Sequence, residues 1–313
     1  MNNQGKTRAK QVGRKQLAVG SWQFKAKART LLFACSYCQL PTSFCPLALH
    51  GSFPDYSSLI MKTEQPGEGR QFSDIKLGIV CPMANEEAAA TRFVNAVLEQ
   101  CAPRGFQSVT FFAVLDKVSR DRTRELLENL KTEQPQLEVV WAPENRSVVD
   151  AYVRGYREAL NAGCDWILEI DAGFSHQPSD IPQFFDKMKD GYDCVFGSRF
   201  CAGGRVSESS TKRKFISRGG TVLANLLLGT KLKDMTSGFE MFTREALQEI
   251  LKRGIRSRGP FFQTEIKAYC RSLRITEVPI QYRAASHDVN NKAIKDSFSN
   301  LWRLFRLRLQ GQL

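Results

Sequence analysis

The sequence lacks several features that would indicate a class of protein at once. No stretch approaches the run of about 18 apolar residues that a transmembrane helix needs. No internal repeat is visible, and the nine cysteines are mostly scattered singly through apolar contexts. The sequence therefore gives no sign of a membrane span, a repeat array or a disulfide framework, and it predicts buried free thiols in a reducing compartment.

Acidic residues are missing from the first part of the chain. None occurs before Asp55, while the formal net charge of the 313 residues is +13 and the carboxyl-terminal part is again rich in Arg and Lys. Both ends therefore favour anionic partners. Nucleic acid is not expected among them, because aromatic and basic residues do not interleave as they do in a recognised nucleic-acid-binding module.

Residues 1–72 show no hydrophobic periodicity, and we expect a basic, disordered extension there. Three other interpretations of this segment stay open. It resembles a targeting peptide in composition, or translation starts at Met61 just before the first predicted strand. The third is a zinc site formed by Cys35, Cys38, Cys45 and His50, although their spacing fits no common pattern.

From Leu77 onward, short apolar runs alternate with helical stretches. This pattern predicts an α/β domain over residues 73–292, with a single Rossmann-like, mostly parallel sheet flanked by helices. The predicted strands are Leu77–Cys81, Val109–Leu115, Leu137–Trp141, Trp166–Ile170, Asp193–Gly197 and Glu277–Tyr282. The predicted helices are Glu86–Gln100, Asp121–Lys131, Asp150–Ala162 with Asp150 as N-cap, Ser179–Lys189, Lys212–Leu228, Arg244–Lys252, Phe261–Ser272 and Ala293–Leu309.

Asp171 lies directly behind the apolar run Trp166–Ile170. Ligands of open α/β sheets bind at the carboxyl ends of the strands, so this carboxylate is a candidate for holding a divalent cation. Gly173 stands where a second acid would be useful, and one carboxylate holds a cation less well than a pair does. Glu169 and His176 are the candidates for further metal ligands.

Two other predicted strands end in polar motifs. Pro82-Met83-Ala84-Asn85-Glu86 follows the first strand and opens a helix, where backbone N–H groups and the helix dipole can meet a ligand. Leu115-Asp116-Lys117 ends the second strand. Each motif alone is weak evidence, because the first is equally a plain strand-to-helix turn and Asp116 is equally a turn residue.

Taken in order, Pro-x-x-Asn-Glu, Asp-x-x-Ser-x-Asp-x-Thr and Ile-Asp-Ala-x-x-Ser-His-x-Pro resemble the motifs of a family 2 glycosyltransferase with the GT-A fold. The similarity extends over roughly residues 75 to 292 and includes segments 196–200, 212–220, 234–239 and 277–280. Within the family, the chain resembles the branch of dolichyl-phosphate mannosyltransferases and polyprenyl-phosphate sugar transferases.

The resemblance implies a nucleotide-sugar donor carrying GDP or UDP, an Mg²⁺ or Mn²⁺ ion, and transfer with inversion. The implied acceptor is a polyprenyl or dolichyl phosphate or another glycan-pathway molecule. A phosphate nucleophile is already anionic and needs no general base. The implied catalytic residues are Asp171, Arg199, Arg213 and Ser217, and the implied donor-binding residues are Pro82, Ala84, Glu86, Leu115, Asp116, Lys117, Ala172, Gly173 and Lys292.

Arg side chains suit phosphate oxygens, but Arg199 and Arg213 could equally belong to a solvated basic face. The sequence also departs from the family pattern. Gly173 replaces the second acid of the metal motif, and Lys117 replaces an acid of the nucleoside pair. Arg283 is displaced by about two residues, which leaves Lys292 for the diphosphate. The alternative function is therefore a GT-A domain that binds nucleotide-sugar without turnover, as a partner or regulatory subunit.

Residues 293–313 form a predicted basic amphipathic helix. Its apolar residues lie near one face and are Ile294, Phe298, Leu301, Trp302, Phe305 and Leu309. Such a helix either contacts an anionic membrane or packs on the body of the enzyme with its Arg residues exposed. We expect a cytoplasmic protein, with peripheral contact to the cytoplasmic face of a membrane as the further expectation.

Overall fold

The computed structural model describes residues 70–207, 211–283 and 291–313, and it describes only the backbone at 211–215 and 291–292. The expected disordered extension up to residue 69, the alternative start at Met61 and the candidate zinc ligands all lie outside these residues. Phe72, which the sequence analysis assigned to the extension, packs edge-on against Phe106 and Trp166, with ring centroids 5.1 and 6.0 Å away. It thus belongs with the globular part of the chain.

The described strands are β1 (Lys76–Pro82), β2 (Ser108–Leu115), β3 (Leu137–Trp141), β4 (Trp166–Glu169), β5 (Cys194–Ser198), β6 (Arg205–Ser207), β7 (Glu240–Thr243), β8 (Ile275–Pro279) and β9 (Gln281–Arg283). The described α-helices are α1 (Ala90–Cys101), α2 (Thr123–Glu133), α3 (Val148–Asn161), α4 (Ile181–Lys189), α5 (Thr211–Leu228), α6 (Arg244–Arg253), α7 (Phe262–Tyr269) and α8 (Asn291–Leu309). Short 3-10 turns cover Phe72–Asp74, Ala102–Arg104, Pro178–Asp180 and Cys270–Ser272.

The main sheet has the order β3-β2-β1-β4-β7-β5-β8. All of its neighbouring strands are parallel except at β7, which is antiparallel to both β4 and β5. The prediction of a mostly parallel sheet is thus confirmed. The sequence analysis did not predict β7, because its four residues run directly into α6 and are too short to show a period of two.

The predicted strand Glu277–Tyr282 is wrong as one element. It divides into β8, which pairs with β5, and β9, which pairs with β6 in a separate two-stranded sheet. Pro279 ends β8 because proline has no N–H to donate to a sheet ladder. The division brings β9 next to the loop that follows β4, where His176 forms an isolated antiparallel bridge with Tyr282.

Two helix starts also differ from the prediction. Ser147, not Asp150, is the N-cap of α3, since the Ser147 Oγ accepts a hydrogen bond from the Asp150 N–H at 3.3 Å. Asp150 lies in the first turn, and its side chain accepts a hydrogen bond from the Arg146 N–H at 3.1 Å. Both residues therefore satisfy backbone donors at the helix start. The first helix begins at Ala90, because residues 86–89 form a turn.

The core lies on both faces of the sheet. Successive residues of β1 point to opposite faces, so that Ile79 packs in one buried cluster with Phe93 and Val80 packs in the other with Tyr156. The predicted free thiols Cys81, Cys164, Cys194 and Cys270 are all buried within these clusters. No helix in the described ranges combines the length and the apolarity that crossing a bilayer requires.

Candidate active site

The fold brings three of the predicted motifs to one edge of the sheet. β1 lies between β2 and β4 and is parallel to both, so the carboxyl ends of the three strands meet. The motif after β1, the Asp116 turn after β2 and the Asp171 loop after β4 therefore line the same edge. All the predicted donor-binding residues except Lys292 lie on these three segments.

Asp171 is held in place from two sides. The Tyr152 hydroxyl on α3 donates a hydrogen bond to Asp171 Oδ1, and His176 Nδ1 lies 3.7 Å from Oδ2. The side chain of Asp171 is nevertheless 44% exposed, whereas Tyr152 and His176 are buried. The carboxylate thus has a fixed orientation and an open side, which is what a metal ligand at a binding edge requires.

The contacts of His176 favour a role in orienting the Asp171 loop over its predicted role as a metal ligand. Its Nδ1 accepts a hydrogen bond from the Asp171 N–H at 3.4 Å, so that lone pair is not available to a cation. Burial lowers the pKa of His176 to about 4, and the nearby Asp171 carboxylate only partly opposes this effect. The imidazole is therefore neutral at pH 7 and lies against the rings of Phe239 and Tyr282, 5.0 and 5.2 Å away between centroids.

The contacts of Glu169 likewise favour a structural role in the core over its predicted role as a metal ligand. It is fully buried in β4, where Gln263 donates to one of its oxygens and the Tyr156 hydroxyl to the other. Burial, followed by the charge of Glu240, raises its pKa well above the ordinary value. A buried carboxyl whose two oxygens both accept hydrogen bonds in the core has little to offer a metal ion at the sheet edge.

Glu86 occupies the space next to the position where the family has its second acid. Gly173 has the left-handed φ of 74° and Phe174 that of 60°, so the loop turns sharply at these two residues. A Cβ atom on Gly173 would lie 2.9 Å from Glu86 Oε2 and 3.2 Å from Oε1. The carboxylate of Glu86 therefore reaches the edge of the Asp171 loop from the β1–α1 turn.

The charges of this edge fit a divalent cation shared with a donor diphosphate. Partial burial raises the pKa of Glu86, and the negative charges of Asp121 and Asp171 raise it further. Across the described part of the chain, no group of three or more His, Cys, Asp or Glu side chains is arranged to hold a metal ion. Two carboxylates alone do not complete the octahedral oxygen shell that Mg²⁺ prefers.

The turn that carries Glu86 is fixed to the turn after β2. Asn85, at φ 59°, donates through Nδ2 to the Val118 carbonyl at 3.1 Å and accepts from the Arg120 N–H at 3.0 Å. The Glu86 N–H donates to Thr123 Oγ1 at 2.7 Å. The Asn-Glu pair of the motif therefore has an internal structural role: Asn85 closes the turn, and the Glu86 side chain is left to face the site.

Asp116 has a turn role that the structure makes explicit. Its Oδ1 accepts a hydrogen bond from the Val118 N–H at 2.8 Å, which fixes the turn after β2. Its neighbour Lys117 is exposed. Asp121 has a structural role, because it accepts hydrogen bonds from the Glu87 N–H at 2.9 Å and from the Thr123 N–H at 3.1 Å.

Arg199 forms a buried ion pair that the sequence analysis did not predict. Its Nε and Nη2 lie 2.7 and 2.8 Å from the two oxygens of Asp234, and Nη2 also donates to Thr236 Oγ1 at 2.5 Å. Only 9% of its side chain is exposed, and Asp234 is fully buried. Two of the three guanidinium nitrogens therefore donate hydrogen bonds to the loop after α5. Arg199 thus joins this loop to the one that follows β5.

The remaining predicted catalytic and donor-binding residues lie on two helices. Arg213 and Ser217 belong to α5, and Lys292 belongs to the first turn of α8. Ser217 is half-buried. The side chains of Arg213 and Lys292 lie outside the described ones, so their expected phosphate contacts stay predictions.

Three residues that organise the site were missed as site residues. Tyr152 lies within the predicted helix Asp150–Ala162 and Asp234 within the segment 234–239, but neither residue was given a role. Tyr282 contacts both His176 and Arg199: its ring lies 5.2 Å from the His176 ring and 5.3 Å from the Arg199 guanidinium carbon. Only pairing across the fold reveals these contacts, so the sequence carried no direct signal for them.

Comparison with known proteins agrees with this geometry. The model of the family "Glycosyl transferase family 2" matches residues 78–251. An undecaprenyl-phosphate mannosyltransferase of Micrococcus luteus is 33% identical over 171 residues, which cover 54% of this chain and 70% of that protein. A polyprenol monophosphomannose synthase of Mycolicibacterium smegmatis is 25% identical over 238 residues, which cover 75% of this chain and 88% of that protein.

Among solved structures, glucosyl-3-phosphoglycerate synthase of Mycobacterium tuberculosis in complex with Mn²⁺, UDP-glucose and phosphoglyceric acid has a TM-score of 0.54 and 16% identity, covering 74% of this chain and 80% of that one. This likeness confirms the GT-A fold. The family match spans the ends of β1, β2 and β4 that form the site, and the curated relatives are mannosyltransferases. The chain therefore belongs to glycosyl transferase family 2 and is a glycosyltransferase.

Proposed function

We propose that this enzyme transfers a mannosyl group from a nucleotide-sugar to a polyprenyl phosphate, with inversion at the anomeric carbon. Two curated relatives whose names state a polyprenyl or undecaprenyl acceptor support this substrate class, since the chain covers 70% and 88% of their lengths. The single observation that carries the proposal is the half-exposed Asp171 carboxylate, fixed by Tyr152 at the sheet edge where the family binds its donor.

Asp171 and Glu86 are the residues that would hold a divalent cation. When bound, such a cation neutralises the negative charge that develops on the leaving nucleoside diphosphate. The two carboxylates are presented from different loops, and the Glu86 side chain stands beside the position of the family's missing second acid. Tyr152 and His176 keep Asp171 in one orientation, so its oxygens need little reorganisation on binding.

The acceptor phosphate would attack without help from a general base, because it is ionised at pH 7. We propose that Arg213, Ser217 and Lys292 bind the phosphate groups. Arg199 acts mainly through its ion pair with Asp234, which joins the loop after β5 to the loop after α5. The donor nucleotide stays open between GDP and UDP, because exposed Lys117 stands where the family has an acid for nucleoside recognition. Buried free cysteines support a reducing compartment, so we place the reaction at the cytoplasmic face of a membrane.

A transfer assay tests the proposal. The purified full chain would be supplied with GDP-mannose or UDP-mannose, a short-chain polyprenyl phosphate and either Mn²⁺, Mg²⁺ or a chelator. We expect a mannosyl lipid with one of the two donors, and loss of product with the chelator. Nucleotide binding without turnover for any of these combinations would contradict the proposal and would favour a binding or regulatory subunit.

A further inference from the structure

Exposed large apolar side chains are concentrated on two helices. Among the described residues, those on α5 are Ile216, Val222, Leu223 and Leu226, and those on α8 are Ile294, Phe298, Trp302 and Leu309. Only Val118 and Val148 are exposed to a comparable degree elsewhere in the described ranges. Single exposed apolar residues are ordinary, whereas a concentration of large ones indicates an interaction surface.

Helix α8 has two distinct faces. Leu301 and Leu304 are buried against the body of the enzyme, while Phe298 is 62% exposed and Trp302 is 59% exposed on an adjacent face of the helix. The ring of Phe305 lies 5.5 Å from that of Trp302. The two interpretations left open by the sequence are therefore compatible, since one face packs on the enzyme and the other is free to meet a partner.

Helix α5 continues the same surface. Ala224 and Leu228 are buried, while Val222 and Leu226 are 68% and 73% exposed. Arg308 of α8 donates to the carbonyls of Leu226 and Leu227 at 3.0 and 2.8 Å, so the two helices are joined at their carboxyl ends. Leu226 of α5 and Leu309 of α8, each at least 70% exposed, therefore lie next to this junction.

The charge of this surface has one sign. No Asp or Glu occurs between residues 211 and 233. The acid of α8, Asp296, is tied to Ser257 Oγ at 2.6 Å and to Asn300 Nδ2 at 3.1 Å on the packed side. The exposed cations on these two helices are Arg218, Lys295 and Arg306, and Lys231 and Lys233 follow α5 directly in sequence.

We propose that the exposed faces of α5 and α8, here called the α5/α8 surface, dock on an anionic lipid bilayer. Apolar and aromatic side chains flanked by Lys and Arg fit the boundary between acyl chains and anionic headgroups. A protein partner fits less well, because Lys is depleted at protein interfaces. The proposal rests on the proposed function, since a polyprenyl-phosphate acceptor resides in a bilayer and α5 also carries Arg213 and Ser217.

Vesicle binding by the full chain tests the surface. The wild type is expected to co-sediment with vesicles containing about 30% phosphatidylglycerol and much less with pure phosphatidylcholine, and to lose binding at high salt. The double variant Phe298→Ser/Trp302→Ser is expected to bind at least about tenfold more weakly, because it removes two large inserting side chains. The matched control Val118→Ser/Val148→Ser removes exposed apolar residues elsewhere and is expected to bind like the wild type.

A water-soluble short-chain acceptor separates this proposal from the proposed function. The Phe298→Ser/Trp302→Ser variant is expected to use that acceptor like the wild type, but to transfer poorly to a long-chain acceptor in vesicles. Equal vesicle binding by this variant and the wild type would overturn the docking surface even if transfer is normal. A protein that transfers to neither acceptor would instead contradict the proposed function. Loss of concentration-dependent dimerisation in the variant, without any vesicle binding by the wild type, would assign the surface to a second copy of the chain.

Discussion

Two pairs of carboxyl groups on neighbouring segments have opposite environments. The outer pair, Asp171 and Glu86, is partly exposed at the end of the sheet. The inner pair, Glu169 and Glu240, is fully buried and directly opposed across the antiparallel strands β4 and β7. Glu169 and Asp171 are only two residues apart, so position along one strand decides whether an acid meets solvent or the core.

The two pairs also differ in where their countercharge comes from. The inner pair has its own cation, since Lys267 is buried with Glu240 and also donates to the Ser237 carbonyl at 2.7 Å. Burial raises the pKa of Glu240 to about 7 and that of Glu169 well above its ordinary value, which lowers the negative charge that Lys267 has to balance. Among the described side chains, no Lys or Arg forms an ion pair with Asp171 or Glu86, which is the arrangement expected where the cation is supplied with the substrate.

The largest effect is expected from removing the inner cation. Lys267→Met leaves Glu240 buried without its partner, and we expect a loss of about 3 to 5 kcal/mol in the free energy of unfolding at pH 8. Urea unfolding of the full chain measures this loss. The control Lys187→Met removes an exposed partner of Asp190 and is expected to cost no more than about 0.5 kcal/mol. Equal losses for the two variants would contradict the role assigned to Lys267.

Removing the outer carboxylate should affect catalysis and not stability. Asp171→Asn keeps the size of the side chain but removes the charge, and we expect transfer to fall by about 10²- to 10³-fold. Its free energy of unfolding should stay within about 1 kcal/mol of the wild type. The control Asp186→Asn, at an exposed ion pair with Arg104, should leave the rate unchanged. An Asp171→Asn enzyme with normal turnover would remove the main support for the proposed function.

Glu86 provides a finer test of the outer pair. If its carboxylate substitutes for the acid that Gly173 lacks, Glu86→Gln should weaken Mn²⁺ binding in the presence of a nucleoside diphosphate by about tenfold. Titration calorimetry or electron paramagnetic resonance of Mn²⁺ measures this without relying on turnover. Glu87→Gln is the matched control, because Glu87 is engaged with Arg122 at 2.8 Å and does not face the site. Equal weakening of Mn²⁺ binding in both variants would mean that binding depends on the overall negative charge and not on the position of the Glu86 carboxylate.

The contrast between the pairs also explains what the sequence could predict. The apolar run ending at Ile170 placed Asp171 at a strand end, and that prediction needs only local pattern and the rules of parallel sheets. The roles of Glu169 and His176 depend on β7, which is too short to be recognised, and on β9, which the sequence pattern merged with β8. The ion pair of Arg199 with Asp234 joins residues 35 positions apart, and no periodicity signals such a pair.

The smallest effect is expected from Glu169→Gln at pH 5. Burial raises the pKa of folded Glu169 well above the ordinary value near 4.5, so the folded chain keeps a proton that the unfolded chain releases as pH rises. The stability that this group contributes is therefore fully present below the unfolded pKa. It is lost as pH rises from the unfolded pKa to the folded pKa, by at most about 1.4 kcal/mol per pH unit. Gln carries no such proton. In urea unfolding, the free energy of unfolding of the variant should lie within about 1 kcal/mol of the wild-type value at pH 5. It should exceed the wild-type value by an amount that grows up to pH 8. A margin that shrinks with rising pH would mean that Glu169 is ionised in the fold, and that the inner pair resembles the outer one.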